Sequence, residues 1–163
     1  MRSNMVRKRA IIVVAASLMV LTGAFHTGCI KLTGAKVPVP VTISGATQVG
    51  SVHFELVYDP EELELTGVQQ GSVLGAAQFH YNMDNPGQVV VGIVSTAGIN
   101  GNGQLAVLTF RLKRTGKSAA SLNLENVVLH SASTLLEIPA VPTKGSITSK
   151  ESFTSPTLLI ENQ

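Results

Sequence analysis

A chain of 163 residues with 44% hydrophobic and only 13% charged residues has room for one domain with a substantial core plus an appendage, and it does not have the composition of a disordered or nucleic-acid-binding protein. Its formal charge of +2 is misleading: setting aside Arg2, Arg7, Lys8 and Arg9 at the N-terminus leaves eight of the 12 Lys and Arg against ten Asp and Glu. No basic patch for nucleic acid survives that subtraction, and with no Trp and two Tyr large aromatic surfaces are scarce.

The first segment reads as an export leader. A basic stretch, MRSNMVRKR, precedes the apolar run AIIVVAASLMVL, and small residues lead up to the only cysteine, Cys29. The apolar run is shorter than the roughly 20 residues of a spanning helix. Residues 1–29 are therefore expected to be a signal or anchor. Thr27, Gly28 and Cys29 resemble a bacterial lipoprotein signal with Cys29 as the lipidated residue, although His26 stands where that pattern has an aliphatic residue. A cleaved signal with an incidental Cys, or an uncleaved anchor from Ala10 to Phe25, stays open beside it. Each version places the remainder outside the cytoplasmic membrane. A lone Cys offers no internal disulfide.

After Cys29, short apolar runs are cut by Gly, Asn and Pro at intervals of about ten residues, the pattern of an all-β sandwich or barrel. KVPVPVTI is extended, and its alternate prolines suit an edge strand. In GSVHFELVY, Val52, Phe54, Leu56 and Tyr58 face one side, and Ser51, His53, Glu55 and Val57 the other. LELTGV is a further strand, and NPG (Asn85 to Gly87) marks a turn. QVVVGIVS is apolar on both faces, as a central strand is. Asn100 to Gly103, NGNG, tolerate positive φ and are expected to form a hairpin into QLAVLTFRLKR. SLNLENVVLH and GSITS complete about eight strands. Residues 149–163 read as a flexible tail.

Glu55, Asp59, Glu61, Glu62 and Glu64 crowd one short stretch. A calcium loop needs six to eight oxygens and usually a Gly in a chain that folds back on itself, neither of which DPEELEL supplies. A glycosidase pair must flank a cleft. Local geometry accounts for the cluster better. Asp59 is placed to cap, Pro60 to take the first helical position, and Glu62 stands at capping-box spacing. One helical turn is expected before Leu63 and Leu65 re-enter the core.

With those elements in order, the sequence resembles a cohesin domain, the module that receives dockerins in cellulosome-type assemblies. The residues that carry the likeness are VPVTI (Val39 to Ile43), VGSVHFELVYDPEELEL, Gly71, NPGQVVVGIVSTAGINGNGQLAVLTFRLK (Asn85 to Lys113), SLNLENVVL and KGSIT. The likeness runs over residues 36–148 and implies a jelly-roll β-sandwich of about eight or nine strands, without enzymatic activity and without a cofactor. It implies a dockerin partner, which carries its own calcium, on one sheet face. By position the docking residues would be Ser51, His53, Ile93, Ser95 and Thr96, with Val91 and Ile93 as an apolar centre inside a polar rim. Several of these places hold Asn, Asp or Glu in the family, and here they hold Ser, His and Thr.

A polysaccharide-binding module of the related fold is the alternative, with Phe79 and Tyr81 as the available aromatics. His53, His80 and His130 lie on different strands without metal-ligand spacing. NMDNPG is too short for a calcium loop. GINGNG lacks the Lys and the following helix of a phosphate loop. No nucleophile elbow surrounds Ser95.

Overall fold

The computed structural model describes residues 36–113, 119–148 and 153–160; residues 1–29, expected as a signal or anchor, and Cys29 among them, lie outside these. Among the described residues the chain forms nine β-strands and a short 3-10 turn, Ser72–Leu74, so the all-β expectation holds. Two long strands form the spine: β1 (Lys36–Tyr58) and β4 (Gln88–Leu112). They pair antiparallel from Lys36↔Arg111 to Val57↔Gln88. The sheet order is β2-β4-β1-β5-β7-β8, where β2 is Leu63–Gln70, β5 Ala119–Ser131, β7 Gly145–Thr148 and β8 Phe153–Thr154. β3 (Gln78–Asn82) pairs with the first part of β4. β9 (Thr157–Ile160) runs parallel to β1 and antiparallel to β6 (Ala140–Pro142).

Burial parity shows how one sheet becomes a sandwich. Early in β1 the buried residues are Val37, Val39, Val41 and Ile43; later they are Val52, Phe54, Leu56 and Tyr58. Strict alternation cannot pass from odd to even positions, so extra residues must intervene. Register shifts fall between Ile43 and Ala46, Ala46 and Val49, and Val49 and Ser51. β4 makes the matching change, from Val89, Val91 and Ile93 to Ala106, Leu108, Phe110 and Leu112. The early part of β1 and late part of β4, with β2 and β9, form one layer. The late part of β1 and early part of β4, with β3, β5 and β7, form the other. Their inner residues share one core, and an edge-to-face contact of Tyr58 with Phe110, at 5.1 Å and 75°, joins the layers.

Two expectations are corrected here. Asn100 to Gly103 do not make a hairpin, because β4 continues unbroken through them. Their positive-φ glycine, Gly101 at +85°, together with Gly98 at +75°, serves the bend that carries β4 between layers. Asn100 and Asn102 pin that bend to β1: their Oδ1 atoms accept from the backbone N–H groups of Gln48 (2.9 Å) and Gly45 (2.7 Å). Likewise, residues 153–160 are not a loose tail. They supply β8 and β9, with Leu158 fully buried. An alternating pattern of four residues is too short to register as a strand in isolation, and one of its two partner strands, β1, lies more than a hundred residues upstream.

Other expectations hold. Lys36–Val41 pairs with β4 on one side and, among the described residues, with no strand on the other, which leaves an edge for the missing N–H groups of Pro38 and Pro40. At Asn85 to Gly87 the Gln88 N–H donates to the Asn85 carbonyl at 3.2 Å, and Gly87 sits at φ +90°, as a turn with Pro then Gly at its centre requires.

Candidate functional site

The acidic stretch disperses once folded. Asp59 directly follows β1 and its Oδ1 accepts from the Glu61 N–H at 2.8 Å, while its carbonyl accepts from Glu62 (3.1 Å) and Leu63 (2.9 Å). This is the single hydrogen-bonded turn expected, and Leu63 and Leu65 re-enter the core after it. Glu62 tucks inward and is buried rather than solvent-facing. Glu55 accepts from Gln88 Nε2 at 2.6 Å. Glu64 pairs with Arg111 across β2 and β4 at 2.6 Å, and the guanidinium holds its carboxyl below the usual range. No group of three or more His, Cys, Asp or Glu among the described residues is placed to hold a metal ion.

The surface that the strands build is the outer face of β3, β4, β1 and β5. Opposed residues on paired strands point to the same side, so the register reads directly as rows. One row is Gln78, Val94, Ser51 and His130. The next is His80, Gly92, His53 and Val128, and the third is Asn82, Val90, Glu55 and Glu125. Ser51 Oγ and His130 Nδ1 lie 3.3 Å apart. The face is therefore largely uncharged, with its acids at one end, His53 and His80 in the middle row and His130 in the row beyond. It carries no Lys or Arg in these rows.

Of the residues assigned from sequence, Ser51, His53 and Thr96 lie on this outer side, with His53 and Thr96 exposed. Val91, Ile93 and Ser95 do not: they are buried at 0%, 1% and 8% exposure, on the inner parity of β4. That assignment is corrected by one residue. The outward positions are Val90, Gly92 and Val94, and Val94 is 51% exposed. A signal for the correct parity was present in Gln88. It stands opposite Val57, which shares the outward side of β1, so every second residue from Gln88 faces out. His80 and His130, set aside as scattered, are brought onto the same face as His53 by the pairing of β3 and β5. Phe79 is partly buried against the core, and its ring is tilted 47° to that of Tyr81 at 6.0 Å. The two rings present no common plane for stacking a sugar, so the polysaccharide alternative is not favoured.

No helix among the described residues is long and apolar enough to cross a membrane. A family model described as "Cohesin domain" matches residues 31–149. No curated relative matches the sequence. Solved structures do. A non-cellulosomal cohesin from the hyperthermophilic archaeon Archaeoglobus fulgidus is 26% identical with a TM-score of 0.64, over 79% of this chain and 83% of that one. The sixth cohesin of scaffoldin B from Acetivibrio cellulolyticus, solved in complex with a Cel5 dockerin, is 27% identical with a TM-score of 0.63, over 69% of this chain and 87% of that one. A cohesin from Clostridium acetobutylicum, 22% identical with a TM-score of 0.61 over 71% of this chain and 81% of that one, shares the fold.

Proposed function

The chain belongs to the cohesin-domain family, and from that premise we propose that it is a non-catalytic interaction module that receives a dockerin on the outer face of β3, β4, β1 and β5. The observation that carries this reading is the face itself. It is a four-stranded surface with no covering layer among the described residues, small and uncharged at its centre, with a half-exposed Val94 beside His53 and Thr96. An apolar centre inside a polar rim is the anatomy of a protein-protein interface. The dockerin complex of the 27% identical Acetivibrio cohesin supports the class of partner. Calcium, in this reading, belongs to the partner, and the cohesin domain itself needs no cofactor.

The same reading places the domain outside the cytoplasmic membrane. Its support is the basic and apolar pattern of residues 1–29, with lipidation at Cys29 as the proposed means of anchoring. Titration of the exported domain with a panel of calcium-loaded dockerins, with cellulose and xylan retention measured alongside, tests the function. Binding of at least one dockerin, weakened about tenfold or more by His53→Asp, is the expected result. Retention on polysaccharide with no dockerin bound would replace this reading by the carbohydrate one.

A further inference from the structure

Gly92 lies at the centre of the outer face, and nothing in the fold requires a glycine there. Its backbone is not in the positive-φ region, and a Cβ built on it would meet nothing within 4 Å. Gly50, Gly71 and Gly145 differ, since a Cβ on any of them would overlap neighbouring backbone. Gly92 marks no bulge either. The register with β1 is unbroken through Val91, Gly92 and Ile93, and so is the register with β3. β4 is bonded on both sides at this point, and glycine in the interior of a central strand weakens it. The remaining reason for a glycine in such a place is the close approach of something from outside.

The surroundings define what approaches. His53 on β1 and His80 on β3 stand opposite Gly92 on either side, with Cα atoms roughly 10 Å apart across two strand spacings. Along β4 the next outward residues are Val90 and Val94. A missing side chain between two imidazoles and two valines leaves a notch with apolar ends and planar walls. Resting on the docking-face reading above, we infer that Gly92 is a specificity-determining position. Its notch takes one aliphatic side chain of the partner, seated against Val90 and Val94 and flanked by His53 and His80.

The test uses Gly92→Val and Gly92→Leu in the whole exported domain, each read by thermal unfolding without partner and by titration with whichever calcium-loaded dockerin the wild type binds. The expected result has opposite signs. Gly92→Val melts at or above the wild type, because a β-branched residue favours a strand and restricts the unfolded chain. Both variants bind dockerin about 30-fold more weakly, or worse, as filling a hot-spot hole does. Truncating the dockerin's contacting aliphatic residue to Ala should restore part of the affinity for Gly92→Val. A Gly92→Val domain that melts below the wild type would show the glycine to be structural and overturn the inference, as would unaltered binding by Gly92→Leu. If the wild type takes no dockerin at all, the docking-face reading falls, while the melting temperature still judges Gly92, so the two failures are told apart.

Discussion

Replacing Leu158 by Ala asks whether β9 belongs to the fold. Leu158 stands opposite Ile43 on β1 and Pro142 on β6 and is fully buried, whereas its neighbour Leu159 is 42% exposed. Truncation removes roughly three carbon groups at about 0.8 kcal/mol each, or about 2.4 kcal/mol of transfer free energy. The space left behind adds on the order of 24 cal/mol per Å³ that the surroundings fail to refill. β9 is held on both sides by strands, so collapse is limited, and the whole cost comes to about 3–4 kcal/mol. For a domain of this size that corresponds to a fall in Tm of roughly 10–15 °C. Circular-dichroism melts of Leu158→Ala and Leu159→Ala, run side by side, provide the assay. The exposed Leu159 should change stability by no more than about 0.5 kcal/mol. Equal, small effects at both positions would refute the reasoning, because a loose tail does not distinguish one leucine from the next.

Two further outcomes follow from the same packing. Gly71 has an extended backbone that any residue can adopt, yet a Cβ there would overlap the Gln104 carbonyl, and its N–H donates to Leu105 at 2.9 Å; Gly71→Ala should cost about 2–4 kcal/mol through forced separation of β2 from β4, and an unaltered urea midpoint would contradict this. Glu64 is held below its ordinary value first by its hydrogen bond from Arg111, so its contribution is present above the unfolded carboxylate value and lost as pH falls through the lowered folded one. Glu64→Gln should therefore remove that component from the acid limb of a stability-pH curve, a small change because both side chains are largely solvated; superimposable acid limbs for the two proteins would show that the pair contributes nothing.

Much of the architecture was legible because local rules and the final fold agreed. The alternation of Val52, Phe54, Leu56 and Tyr58, the Pro-Gly turn before Gln88 and the Asp-Pro turn after Tyr58 are all set by residues near one another in the chain. Failures came where a long-range partner decides. Asn100 to Gly103 offer the positive φ that a hairpin uses, but the same freedom allows a long strand to bend. Only the presence of β1 alongside, with Gln48 and Gly45 donating to the two asparagines, selects the bend. Phe153–Ile160 are too few and too mixed to declare two strands until β1, β6 and β7 supply their ladders.

The docking face divides along the same line. On β1 polar and apolar residues alternate, so Ser51 and His53 could be placed outside from their neighbours alone. On β4 the run Val89 to Val94 is apolar on both parities, and hydrophobicity cannot choose between them. The turn chooses: with Tyr58 N–H bonded to the Gly87 carbonyl at 2.9 Å, Gln88 falls opposite Val57, which sends Val91 and Ile93 into the core and Val90 and Val94 out. An apolar strand residue that stays half-exposed gains nothing for the folded monomer. Val94 beside a glycine that the fold does not need is thus the combination by which this face departs from an ordinary solvated sheet. Under the proposed docking, the ambiguity that obscured the site in the sequence has the same origin as the site, because a strand with the core on one side and a partner on the other is apolar on both.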